Sequence, residues 1–207
     1  MALVKLNNRG VRSATTYGSI TGLGSMVFIK KQTASASATV SFVDGTSDVV
    51  LDDTYKEYLF TFKDIHLSSA SGRFQFNGTT DGTNWNVTKT TTVFHSSHKE
   101  ADDDAAVGYQ AGDDLAQGTG FQDLQAYGNQ QEDNDSCLAG YLHLFNPSST
   151  TFAKHFMAKT NAMVATGYSS NCFVAGYCNT TSAVTGIRFQ AVTGNIDAGD
   201  ICLYGIN

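Results

Sequence analysis

The chain has 207 residues and a mass of 22.1 kDa, the length of a single domain that can bury its own core. It contains 24 threonines, 18 serines and 20 glycines, and only 15% of its residues are charged, so a helical bundle or coiled coil is excluded. A hydrophobic content of 41% argues against disorder, and a net charge of −6 argues against nucleic-acid binding.

The negative charge is concentrated in one segment of the chain. Ten of the 19 acidic residues lie between Glu100 and Asp135, and this interval contains no lysine or arginine. The remainder carries 13 positive and nine negative charges and is therefore mildly basic. The total charge thus conceals an acidic segment inside a basic domain.

The first residues carry charges but no apolar stretch of the kind found in secretory signals, and no window is apolar enough to insert into a membrane. Without a secretory signal we expect a reducing compartment, in which the cysteines are free, buried thiols. The four cysteines have no zinc-knuckle spacing, so we expect no structural zinc site. Residues 1–24 show no core pattern and are interpreted as a docking arm, followed by one domain over 25–207. The cysteines are Cys137, Cys172, Cys178 and Cys202.

The first half of the domain has the alternation of β-strands. Residues 26–29 predict a fully buried strand, and residues 34–42 predict one strand, because every even position there is apolar. Phe60 and Phe62 should share one face of the next strand. Further strands are predicted over 72–77 and 85–94.

The acidic stretch, about residues 96–136, interrupts this pattern. It contains five glycines, many Asp and Gln residues and few apolar ones. We expect a long excursion over the surface, with at most a short helix near residues 102–108. Loops of this length tend to be functional or to lie in an interface.

Strand patterns resume after the excursion and continue to the last residues. Ten to twelve strands without an internal repeat predict an all-β protein, an antiparallel β-sandwich of the jelly-roll-like kind with a long acidic loop. The predicted strands of this half are residues 138–145, 151–157, 163–168, 172–177, 184–192 and 200–206.

Carbohydrate binding is the sharpest binding hypothesis that the residues offer. The only tryptophan, Trp85, follows Asp81 and Asn84 at a hairpin, and loops of this composition present an aromatic ring and polar groups to sugars. The alternative is a Trp that packs into the core at the start of a strand.

A second candidate site contains metal-ligand types. His95, His98 and Glu100 lie close together in sequence, but residues three apart on a strand point to opposite faces, so a shared metal needs a turn there. The alternative is a strand that ends in a solvated acidic loop. A calcium ion in an irregular loop around residues 133–135 stays open. We expect no resident metal and no cofactor.

No pattern of catalytic residues is present in the sequence. The nucleophile elbow Gly-x-Ser-x-Gly and the phosphate-binding GxxxxGK[ST] loop do not occur, and the three glutamates nominate no carboxylate pair. We therefore expect a protein that is not an enzyme.

Several sequence segments in the second half of the chain are similar to those of a known class of proteins. Together they resemble small virion structural proteins of tailed marine bacteriophages, especially cyanophage-like head decoration and tail or fibre accessory proteins. The segments are residues 145–151 leading to 154–157, residues 175–177 followed by 179–184, and the ending 193–206.

The resemblance implies a non-enzymatic phage virion structural protein, a capsid decoration or a tail or fibre component that is assembled in the host cytoplasm. Its partners would be other virion proteins of the capsid or tail, and the chain would be a homo-oligomer. The alternative is a carbohydrate-binding adhesin with a jelly-roll fold that binds a host surface glycan. No catalytic residues are transferred from the resemblance.

Overall fold

A computed structural model describes residues 25–131, 133, 135–165 and 167–207. In this part of the chain every regular element is a β-strand, and no helix there is long and apolar enough to cross a membrane. The predicted docking arm, residues 1–24, lies outside the described residues. The strands are β1 (Met26–Ser37), β2 (Thr39–Val43), β3 (Glu57–Leu67), β4 (Phe74–Thr79), β5 (Lys89–Lys99), β6 (Ala105–Tyr109), β7 (Gln122–Asp123), β8 (Leu138–Phe145), β9 (Lys154–Val164), β10 (Tyr168–Cys178), β11 (Gly186–Ala191) and β12 (Ile196–Ile206).

The strands form two antiparallel sheets. The larger has eight strands in the order β1-β12-β3-β8-β9-β10-β5-β6, and the smaller has four in the order β2-β11-β4-β7. The chain passes repeatedly from one sheet to the other, as in jelly-roll connectivity. The predicted all-β antiparallel sandwich is therefore confirmed.

Phenylalanine rings fill the space between the sheets. Phe189 of the smaller sheet lies between Phe60 and Phe62 of the larger one, with ring centroids 5.4 and 5.2 Å apart. Phe42 and Phe74 complete this cluster, and all five rings are almost fully buried. The prediction that Phe60 and Phe62 share a face is confirmed, because alternate residues of a strand point the same way.

Only part of the acidic excursion is the surface loop that its composition predicts. None of residues 100–121 is buried, whereas residues 122–126 are. Residues 105–109 form strand β6 and not a short helix. Four strands cannot cover eight, and the excursion covers the parts of β9, β10 and β5 that the smaller sheet leaves open. Its acidity is therefore only partly a surface property.

Polar side chains on the larger sheet hold this irregular segment in place. Thr160 on β9 donates a hydrogen bond to the Leu124 carbonyl, and Ser170 on β10 donates to the Ala126 carbonyl over 2.7 Å. A buried backbone without a regular partner strand needs such side-chain partners. The Gln130 amide adds bonds to the backbone of β3.

Arg73 contacts two carboxylates of the excursion that are largely shielded from solvent. Its guanidinium lies 2.6 Å from Asp113 Oδ1 and 2.8 Å from Asp123 Oδ2, and Gln75 also donates to Asp123. Burial raises the pKa of Asp123, while the Gln75 hydrogen bond and the Arg73 charge oppose that rise. The excursion is thus anchored by charge as well as by its backbone.

Besides shifts in strand bounds, three predicted strands differ from the observed ones in burial or in how the chain is divided. Residues 26–29 are not fully buried, because β1 is an edge strand whose Met26 and Phe28 point outward. The alternating stretch 34–42 is divided at Ala38 between β1 and β2, which belong to different sheets. Residues 163–168 are not a separate strand but the end of β9, a turn and the first residue of β10.

Candidate functional site

The outward side of the eight-stranded sheet, called here the outer face, exposes an unusual amount of apolar surface. Nine large hydrophobic residues of the described chain are classed as exposed, and seven of them lie on this face. The other two, Phe152 and Val192, lie on loops. The seven are Met26, Phe28, Phe94, Val107, Tyr109, Tyr141 and Met157.

One row of these residues crosses half of the sheet. Phe94 on β5 stacks on Phe173 of β10, with ring centroids 4.7 Å apart, and the Lys159 ammonium lies 5.1 Å from the centre of the Phe173 ring. The strand register places Tyr109 beside Phe94 and Tyr141 beside Lys159. Because directly paired residues of antiparallel strands share a face, this row is continuous.

A second row runs from the opposite edge to the centre. Phe28 on β1 packs edge-on against Tyr204 of β12, with centroids 5.6 Å apart. The register continues from Tyr204 to Leu59, then to His143 and Met157. The two rows meet at β8 and β9, which are the fourth and fifth strands of the sheet.

Acidic and basic groups lie side by side on the outer face. His143 Nδ1 contacts the Glu57 carboxylate in the middle of the face. Near the β1 edge, Lys31 lies 3.3 Å from Asp200, and the hydrogen bonds from Thr33 and Lys31 lower the pKa of Asp200. Together with Lys159 over the Phe173 ring, these groups give the face charges of both signs.

The β6 edge of the outer face borders the acidic segment. The Tyr109 hydroxyl donates a hydrogen bond to the Asp114 carboxylate, and this bond raises the pKa of Tyr109. On the inner side of the same sheet, Tyr168 of β10 donates likewise to Asp104 over 2.7 Å, which raises the pKa of Tyr168 to about 12. Both phenols are therefore neutral donors at neutral pH, and the aromatic row of the outer face ends beside the Asp114 carboxylate.

The structure brings the predicted sugar-binding residues Asp81, Asn84 and Trp85 together in one loop, but Asp81 and Asn84 are hydrogen-bonded to each other. Asp81 accepts hydrogen bonds from the backbone amides of Thr83 and Asn84 and from the Asn84 side chain. These bonds lower the pKa of Asp81, a carboxylate that is fully occupied by its own turn. Trp85 is partly buried, and the Arg188 guanidinium lies 4.2 Å from the ring centre. The adhesin alternative stays a prediction.

The candidate metal ligands are separated by the strand that carries them. His95 points inward, where its ring stacks on Tyr127, whereas His98 points outward and contacts Asp102. Glu100 follows the end of β5 and bonds through its backbone amide to Gly167. Within the described residues, including Asp133 and Asp135, no three His, Cys, Asp or Glu side chains are placed to hold one metal ion.

A buried basic cluster lies on the inner side of the same sheet. Lys89 and Lys154 flank Cys178 in the register, and Lys89 donates to Asn77 Oδ1 over 2.5 Å and to the Val87 carbonyl. Burial lowers the pKa of Lys89 to about 8 and raises that of Cys178 to about 11.

The prediction that the cysteines are free is confirmed, and the prediction that they are buried is confirmed for two of the four. All four thiols are free. Cys172 and Cys178 are buried, whereas Cys137 and Cys202 are partly exposed. Burial raises the pKa of Cys172 to about 12, so this thiol is protonated and poorly nucleophilic.

The outer face escaped the sequence reasoning, although a signal for it exists. In 138–145 and 154–159 both sets of alternate positions carry large or apolar residues, as in a sheet that is covered on both sides. A strand of a monomer with one solvated face should instead alternate between apolar and polar residues.

Fold and site define a class, an antiparallel β-sandwich with an exposed aromatic sheet face. Comparison with known proteins adds no family to this description. No family model, no curated protein and no solved structure matches the chain.

Proposed function

We propose that the chain is a non-enzymatic structural protein of a bacteriophage particle, a capsid decoration or a tail or fibre component. The observation that carries this proposal is the apolar outer face, on which seven exposed large hydrophobic side chains lie. A contiguous apolar surface of this kind marks a site of contact with other macromolecules. The phage assignment itself rests on the resemblance of the second half of the chain.

The chemistry of the outer face suits protein contact. Tyrosine, phenylalanine and methionine are enriched in the centres of protein interfaces, while charged residues are depleted there. Tyr141 and Met157 occupy the central strands, and Asp114, which accepts a hydrogen bond from Tyr109, lies at the border. A polar rim around an apolar centre is the usual arrangement of an interface.

The sandwich also suits a particle component. Its larger sheet is braced on the inner side by the smaller sheet and by the excursion, which Arg73 and the side chains of β9 and β10 hold. In the proposed setting the chain is assembled in the host cytoplasm, its partners are other capsid or tail proteins, and the outer face is covered in the finished virion.

The test is the presence of the chain in purified particles. We expect quantitative mass spectrometry of gradient-purified virions to find its peptides at a fixed stoichiometry to the major capsid protein. Antibody against the chain should label particles in negative stain. Peptides found in the lysate but lost from the virions on purification would overturn the proposal.

A further inference from the structure

We propose that the partner on the outer face is a second copy of this chain, packed sheet against sheet around a two-fold axis. This inference rests on the proposed function in one respect, the role of the outer face as an assembly surface. It adds the identity of the occupant and the residues at the centre of the contact.

The size of the face fits such a contact. Eight strands about 4.8 Å apart span about 34 Å, and eight residues along a strand span about 27 Å. The product, about 900 Å², is close to the roughly 800 Å² that each partner buries in a standard stable interface. The face is therefore large enough to hold a dimer together without help from the sheet edges.

The charges of the face allow it to meet its own copy. A two-fold contact places the same surface on both sides, so a face with a large net charge would repel itself. Here Lys31 contacts Asp200 and Lys63 lies 3.5 Å from Asp64. Glu57, which contacts His143, and Lys159, which lies over the Phe173 ring, add one group of each sign, so no single sign dominates the face. The strong surplus of negative charge lies beyond the β6 edge, where a face-to-face pair leaves it in solvent.

The centre of the face defines the residues on which the contact depends. Tyr141 and Met157 lie on β8 and β9, the two middle strands, and are 40% and 57% exposed. Any copy that covers the face must cover them. They are also positions at which a new positive charge would be buried in the contact, because Tyr141 is paired in the register with Lys159 and Met157 with His143, and such burial is costly.

The experiment measures the mass of the purified full chain in solution by sedimentation velocity and light scattering. The wild type should be a dimer at micromolar concentration. The double variant Tyr141→Lys, Met157→Lys should be a monomer, with its dissociation constant raised at least 100-fold. The matched control is Phe152→Lys, since Phe152 is 69% exposed but lies on the loop between β8 and β9 and not on a strand of the face, and it should remain a dimer.

Folding of the double variant is checked separately by circular dichroism and urea unfolding, because both substituted side chains point to solvent in the isolated chain. A monomeric wild type overturns the inference. If that monomer is nevertheless found in virions, the proposed function stands and the face contacts a different particle protein. A double variant that dimerises as tightly as the wild type also overturns the inference.

Discussion

The two faces of the eight-stranded sheet carry similar side chains in different surroundings. On the inner face Phe60 and Phe156 are at most 1% exposed, whereas on the outer face Phe28 and Phe94 are 57% and 46% exposed. Aromatic residues on one side are covered by the same chain, and those on the other side are not covered by any of the described residues. The difference indicates that the inner face stabilises the fold, and it supports the proposal that the outer face serves an assembly.

The largest effect is expected where the inner face meets the smaller sheet. Phe189→Ala removes a fully buried ring that contacts four other phenylalanines, so the free energy of unfolding should fall by about 3–5 kcal/mol. Urea unfolding measures the change. The control Phe152→Ala, at an exposed position, should change stability by about 0.5 kcal/mol or less.

The next largest effect concerns the half of the inner face that the excursion covers. Arg73→Met removes the cation that contacts Asp113 and Asp123, and Asp123 is buried, so we expect a loss of about 3 kcal/mol. Limited proteolysis should then cut within residues 110–131 before the sandwich unfolds. Unchanged stability and unchanged cutting would show that the excursion is held by its backbone contacts alone.

The strands of the eight-stranded sheet are partly predictable from the sequence. The segment 138–145 matches β8 at both ends, because a short, largely apolar run between two turns marks a strand clearly. Residues 26–29 were assigned to the interior because they are apolar. Alternation shows that a strand has two faces, but the covering of each face depends on which strand lies at an edge, and this is a property of the whole sheet.

The excursion was harder to predict for a different reason. Its burial has no apolar periodicity, since Gln122, Gln125 and Gln130 are buried through hydrogen bonds. Their partners lie on β3, on β5 and within the excursion itself, so no local window of sequence contains all of them. The candidate residues Asp81, Asn84 and Trp85 were correctly grouped in one loop, but spacing cannot reveal that their polar groups satisfy one another.

The buried lysine tests the inner face by pH. Lys89 has its pKa lowered to about 8 by burial, whereas an unfolded lysine keeps its proton up to about pH 10.4. Between these values the unfolded state binds more protons, so the contribution of Lys89 to stability rises with pH. Relative to Lys89→Met, the wild type should gain about 2–3 kcal/mol from pH 8 to pH 10.

The comparison between wild type and Lys89→Met is needed because other groups act in the opposite direction. The raised pKa values of Cys172 and Cys178 reduce stability as pH rises above about 9, and both are present in the two proteins. Lys159→Met on the outer face controls for the loss of one positive charge. A difference between wild type and Lys89→Met that is flat from pH 8 to pH 10 would contradict the prediction.

The smallest change in the free energy of unfolding is expected on the outer face. It can be compared with an inner-face substitution on the same strand, β9. Met157 and Ala158 are neighbours on β9, with Met157 57% exposed and Ala158 5% exposed. At a concentration where the chain is monomeric, Met157→Gln should change the free energy of unfolding by about 0.5 kcal/mol or less. Ala158→Gln places a larger, polar side chain in the packed interior and should cost at least about 1–3 kcal/mol. If the two variants lose equal stability, the outer face contributes to the fold of the single chain, and its exposed aromatic rows need no partner to explain them.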